Sequence, residues 1–162
     1  QCVVTKTNED SLEELVERLR PTRAKGMTFS FYVARRNDTS DFTWGSLERR
    51  DKAVREVMRL KNNHRGFIWN NRRALELTLS ENAKRVTDNC PSKRLVLPLW
   101  LDGNKFTQPF CCYGNDVDCD LCGAWVVFQL AAKLEQNPAL GHADRNETNE
   151  ARCSTLAASE DS

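Results

Sequence analysis

Cys119 and Cys122 enclose only Asp120 and Leu121, and the adjacent pair Cys111-Cys112 precedes them, so four of the seven cysteines fall within twelve residues. Two sulfurs at this spacing reach one centre with little chain closure, and a second such element completes a four-thiolate site. Cys90, 21 positions before Cys111, offers a further ligand. Zinc, an iron–sulfur cluster and disulfides all use such a set. The Cys119–Cys122 pair alone could also cycle as a redox dithiol.

Composition favours metal over disulfides. Seven cysteines is an odd number, and they are clustered instead of being spread as staples. No basic start followed by an apolar run and a small-residue cleavage site is present, which points to the cytoplasm. No run reaches the roughly 18 apolar residues of a membrane span. Sequons at Asn37 and Asn146 carry no weight without secretion. The chain begins at Gln1 in mid-pattern, so an upstream segment is expected.

Other chemistry finds little support. The two histidines, His64 and His142, have no neighbour at metal-binding or nucleophile–base spacing, and His64 is expected to be exposed. Neither a phosphate loop nor a glycine-rich nucleotide fingerprint occurs. Asp116, Asp118 and Asp120 alternate beside the thiols, where solvation is their default role and a full calcium loop is lacking. Residues 1–100 carry 20 Lys and Arg against 13 Asp and Glu, whereas residues 101–162 carry 4 against 10. The basic side chains lie among acidic ones, as on solvated helix faces, so nucleic acid is not the expected partner.

The elements that must position the cysteines follow from apolar spacing. Cys2 to Thr7 is rich in β-branched residues and reads as a strand. Leu12, Leu15, Val16 and Leu19 line one face of a helix that Pro21 ends. Met27 to Ala34 is a second strand, and strand–helix–strand with short joints implies a parallel pair. A polar loop leads to a helix over Glu48–Leu60, with Ala53, Val54, Val57 and Met58 as its stripe. Gly66 breaks that pattern, Phe67-Ile68-Trp69 reads as a short third strand, and a helix is expected from Arg72 to about Arg85. Arg35, Arg36, Asn70, Asn71, Arg72 and Arg73 follow these strands, where an α/β domain builds its ligand loops.

Beyond Cys90 the character changes. Leu95–Leu101 and Lys105–Phe110 flank Asp102-Gly103-Asn104, a strong hairpin signal, although Pro98 implies an edge or bulge. Such a hairpin would return the chain from Cys90 towards Cys111 and Cys112. An apolar helix then runs from Trp125 to Leu134, either capping a metal site or simply packing the core. The domain reading is therefore 1–88 as an α/β segment, 89–137 as hairpin, cysteine cluster and helix, and 138–162 as a tail containing Cys153.

The stretch from Leu99 through Asp102-Gly103 to Cys111-Cys112-Tyr113-Gly114, followed by Cys119-Asp-Leu-Cys122-Gly123, resembles the carboxy-terminal region of radical S-adenosylmethionine enzymes. In that family a partial (β/α) barrel leads through a hairpin into an auxiliary cysteine cluster of the kind called SPASM. Val3-Val-Thr-Lys-Thr-Asn and Met27-Thr-Phe-Ser-Phe-Tyr-Val are similar to its late barrel strands. The resemblance implies an α/β fold formed by the end of such a barrel, followed by a hairpin, a cysteine-rich metal-binding loop and a short helix. It implies an auxiliary [4Fe–4S] cluster held by Cys90, Cys119, Cys122 and Cys112 or Cys111, with zinc as the alternative. The family's Cys-x3-Cys-x2-Cys motif is absent. Cleavage of S-adenosylmethionine would then need a partner amino-terminal radical S-adenosylmethionine region, and the substrate would be a peptide or small molecule.

Overall fold

The computed structural model describes residues 1–96, 100–107 and 116–141. Its first strand, β1 (Cys2–Val4), is followed by a one-turn 3₁₀ segment and helix α1 (Leu12–Leu19), then by β2 (Phe29–Phe31). β1 and β2 pair in parallel, Cys2 opposite Phe29 and Val4 opposite Phe31. α2 (Leu47–Asn63), α3 (Arg72–Thr78), α4 (Ser80–Asp88) and the short α5 (Ser92–Leu95) follow. β3 (Trp100–Asp102) and β4 (Lys105–Thr107) form the expected antiparallel hairpin, with Gly103 at φ +60° in its turn. α6 (Trp125–Gln136) closes the regular structure.

β2 organises the domain because both of its edges are used. Its even-numbered residues face β1: the Cys2 N–H donates to the Thr28 carbonyl and the Tyr32 N–H to the Val4 carbonyl. Its odd-numbered residues face the other way and meet three different partners. Met27 exchanges bonds with Phe67 and Trp69 at 2.8 Å each, a single parallel bridge at Ile68. The side-chain amide of Asn70 then takes the place of a strand. Its Oδ1 accepts from the Phe29 N–H and its Nδ2 donates to the Phe29 carbonyl, both at 2.8 Å. One step further, the Phe31 N–H donates to the Gly123 carbonyl at 2.9 Å.

This edge corrects the expected barrel. Among the described residues the parallel pairing is two strands and one bridge, ending in a side-chain amide and a loop carbonyl. Among the described residues no ladder continues from which a barrel wall could be built. The expected strand from Leu95 is also corrected at its start, because Ser92–Leu95 is helical. Residues 97–99 lie outside the described ones.

Two apolar clusters hold these elements. Val4, Phe29 and Phe31 pack against Leu12 and Val16 of α1 and Val54, Val57 and Leu60 of α2. The second cluster joins Ala74 and Leu77 of α3, Ala83 and Val86 of α4, Cys122, and Val127, Phe128 and Ala132 of α6. The helix expected over Arg72–Arg85 is two helices, interrupted at Leu79, whose ψ of 144° is extended. The cause is tertiary. The buried Asp51 carboxylate accepts from the Ser80 N–H at 3.0 Å and from its hydroxyl at 2.6 Å, capping a new helix there.

Across the second cluster, the Glu135 carboxylate accepts from Arg73 Nε at 2.7 Å and from Arg85 at 3.2 Å, tying α6 to α3 and α4. Arg73 first, and Arg85 after it, hold the Glu135 carboxyl below its usual value. A carboxylate depressed in the folded state stabilises above its unfolded value and loses that contribution as pH falls through the folded one. Urea unfolding should therefore show an acid-side decline beginning near the ordinary glutamate value of about 4.3. Glu135→Gln should shallow that decline.

Candidate functional site

Each expected ligand loop is occupied by structural work. Asn70 is spent on Phe29, and Asn71 caps α3 by accepting from the Arg73 and Ala74 N–H groups at 2.7 and 3.3 Å. Arg72 pairs with Glu76 at 3.2 Å, and Arg36 with Asp116 at 3.5 Å. His64 is half-buried, with Nδ1 3.3 Å from Arg20, where exposure was expected. A groove of about 520 Å³ between α1 and α2 is crossed by Arg59, which pairs with Glu13 at 2.9 Å and Glu56 at 2.6 Å. These three charges pair with one another across it.

The cysteine turn is better defined. Arg35 and Val117 form an antiparallel bridge, and the Asp118 N–H donates to the Ala34 carbonyl at 2.9 Å. This carries the chain along the continuation of β2. Cys119–Leu121 then make a 3₁₀ turn, in which Asp118 accepts from the Asp120 N–H at 3.0 Å and the Cys122 N–H donates to the Cys119 carbonyl at 3.2 Å. Gly123 follows in close contact with Phe31. A Cβ there would lie 2.5 Å from the Phe31 Cβ and 2.6 Å from its carbonyl oxygen. Trp125 starts α6 by donating its N–H to the Ser30 hydroxyl at 3.1 Å. The turn is thus pinned at both ends to β2.

Within this frame the two sulfurs differ. Cys119 is exposed, whereas Cys122 is 4 % exposed and belongs to the second core with Leu77, Val86 and Phe128. Residues three apart in a 3₁₀ turn lie over one another, the spacing that lets two thiols approach. Beneath Cys122 lies Arg50, a fully buried arginine of α2. Its Nη1 donates to the Cys122 carbonyl and its Nη2 to the Thr78 carbonyl, both at 3.0 Å. Burial draws the guanidinium below the ordinary arginine value, while Asp51 and Cys122 oppose that shift. Asp120 and Asp88 accept from Lys84, which holds its proton above the usual lysine range because of Asp88 first and Asp120 second.

This geometry corrects the metal reading. Among the described residues no group of three or more His, Cys, Asp or Glu is placed to hold a metal ion. Cys90 is half-buried and packs at the edge of the second core, to which the buried Cys122 belongs, whereas Cys119 is exposed. Among the described residues the pair is not joined by the third ligand that both zinc and a [4Fe–4S] cluster require. Cys111 and Cys112 lie outside the described residues, as do Cys153 and the rest of 142–162. The iron–sulfur cofactor, its zinc alternative and the link to radical S-adenosylmethionine or SPASM-type proteins are accordingly withdrawn. A cysteine-rich metal-binding loop is withdrawn from the fold as well.

Sequence spacing singled out Cys119 and Cys122 but missed Arg50, which looked like one more charge on an amphipathic helix. The only signal available was its position four residues before Val54 and seven before Val57, on the buried stripe. Thiol reactivity should follow exposure. Cys119 is expected to alkylate on the order of tenfold faster than Cys2, whose half-buried thiol is pushed up by burial. Timed iodoacetamide labelling with peptide mass analysis checks the order. Among the described residues no helix is long and apolar enough to cross a membrane. No protein-family model, curated protein or solved structure matches this chain.

Proposed function

We propose that the Cys119–Cys122 turn is a thiol–disulfide exchange site acting on a disulfide in a peptide or small molecule. The observation that carries this reading is the asymmetry of the pair: an exposed Cys119 and a buried Cys122 at the two ends of one short turn. An exposed sulfur is reachable by a substrate, and a sheltered one three residues away resolves the adduct. No metal is needed.

The chemistry balances with the two thiols alone. The Cys119 thiolate attacks one substrate sulfur, breaking the substrate S–S bond, forming a mixed disulfide and releasing one substrate thiolate. The Cys122 thiolate then attacks the Cys119 sulfur and expels the second substrate thiolate. The chain ends as the Cys119–Cys122 disulfide, and the substrate has gained two electrons and, from the two cysteines through solvent, two protons. The cytoplasm suits this direction, because its reducing couples restore the dithiol. Asp116, Asp118 and Asp120 around the turn disfavour a polyanionic partner such as nucleic acid.

The test is equilibration with glutathione couples under anaerobic conditions, acid trapping, alkylation and mass analysis. A single two-electron transition that links Cys119 to Cys122, lost in C119S and C122S, is the expected result. Separate glutathione adducts on the two residues, or linkage of either one to a different cysteine, would overturn the reading.

A further inference from the structure

Arg50 presents a charge problem that its visible partners do not solve. The side chain is fully buried, and its nearest carboxylate oxygen among the described residues, on Asp51, stands 3.9 Å away. That carboxylate is already occupied by the N–H and hydroxyl of Ser80. The two hydrogen bonds Arg50 donates go to neutral carbonyls, and among the described residues its Nε has no hydrogen-bond partner. A buried cation neutralised this weakly is costly, and an aliphatic side chain of equal volume would pack the same space at less cost. The charge therefore calls for a second anion. Cys122, whose carbonyl Arg50 already grips, carries the adjacent group able to become one.

Resting on the thiol-exchange reading, we infer that Arg50 is a positioning residue for the pair, fixing the Cys122 end of the turn and favouring the reduced state over the disulfide. Only the reduced state places negative charge on the Cys122 sulfur; the disulfide is neutral. A guanidinium fixed on the carbonyl of the same residue stabilises the first and leaves the second unaided. Because Arg50 also holds the Thr78 carbonyl, at the end of α3, it couples the turn to the α3–α4 junction. Electrostatic action between Cys122 and Arg50 agrees with this placement.

The experiment compares the equilibrium of the Cys119–Cys122 couple with glutathione in the wild-type chain, R50Q and R50K. Neutral R50Q should shift the equilibrium about tenfold towards the disulfide, about 30 mV more negative. R50K, which keeps the charge, should stay within about twofold of wild type. A couple that is intact in the wild type but unchanged in a folded R50Q would overturn the inference alone. Absence of any Cys119–Cys122 couple in the wild type would overturn the thiol reading, and this inference with it. Should both variants fail to fold, the wild type still decides. The Arg50 guanidinium ¹⁵N resonances must move between reduced and oxidised protein, and coincident resonances would overturn the inference.

Discussion

Asn70→Ala is expected to lower the stability of the domain by about 2–4 kcal/mol, the cost of leaving two buried backbone groups without partners. Asn70 is 2 % exposed, and both ends of its amide are engaged by the same residue, Phe29, at 2.8 Å. Truncation removes both partners at once, and water has no ready access to either group. Asn70→Asp separates the two contributions. Its carboxylate can still accept from the Phe29 N–H, but it faces the Phe29 carbonyl with a second acceptor and brings a buried charge. It should therefore be at least as damaging as alanine above the ordinary aspartate value of about 3.9, and less damaging below it. Urea unfolding of the three proteins at pH 7 and pH 3 distinguishes a bridging amide from a merely buried polar side chain. Equal stabilities for Asn70→Ala and wild type would refute the strand-mimic account.

Gly123→Ala is expected to cost about 3 kcal/mol and to separate the cysteine turn from β2. The added methyl would meet Phe31 backbone and Cβ atoms at 2.5–2.8 Å. None of these is the tip of a flexible side chain, so relief requires moving the strand or moving the turn. Moving the turn sacrifices the Phe31 N–H bond to the Gly123 carbonyl and slackens the grip of Arg50 on the neighbouring Cys122 carbonyl. Local damage should exceed global damage. Hydrogen exchange at Phe31 should accelerate, Cys122 should become alkylatable, and α1 should retain its protection. A variant that alkylates like wild type at Cys122 would show that the turn does not depend on this contact.

How far residues alone revealed this arrangement depended on where each partner lies. Leu12, Leu15, Val16 and Leu19 announce α1 because a helix writes its buried face in its own spacing, and Asp102-Gly103 announces the hairpin through the positive φ that Gly103 adopts. The Phe67–Trp69 segment was legible as extended, although it contributes a bridge and not a full strand. By contrast, the interruption at Leu79 is dictated by Asp51, 29 positions before the Ser80 that it caps. The end of the sheet is set by an asparagine side chain posing as backbone. The family resemblance implied the end of a barrel, and nothing local in Asn70 distinguishes a loop polar residue from a ladder terminator. Cysteine spacing misled in a related way. It identifies sulfurs that can meet, but the fold decides how many of them share one centre, and the burial of Cys122 comes from α3, α4 and α6.

The far edge of β2 also has a kinetic meaning. Its three closures fall at two separations along the chain: Ile68 meets Met27, and Asn70 meets Phe29, each across 41 positions, whereas Gly123 meets Phe31 across 92. Each doubling of a closed loop adds only about 0.6 kcal/mol of chain entropy, yet the longer closure must wait until the shorter ones have ordered β2 to receive it. The α1–β1–β2 unit is thus the natural nucleus, and the cysteine turn docks after the rate-limiting step. Changes at Gly123 should consequently speed unfolding and leave the folding rate almost untouched, whereas changes at Val4 or Val16 should slow folding. In a nascent chain, the thiols would reach the exposed-and-buried arrangement only after most of the domain already stands.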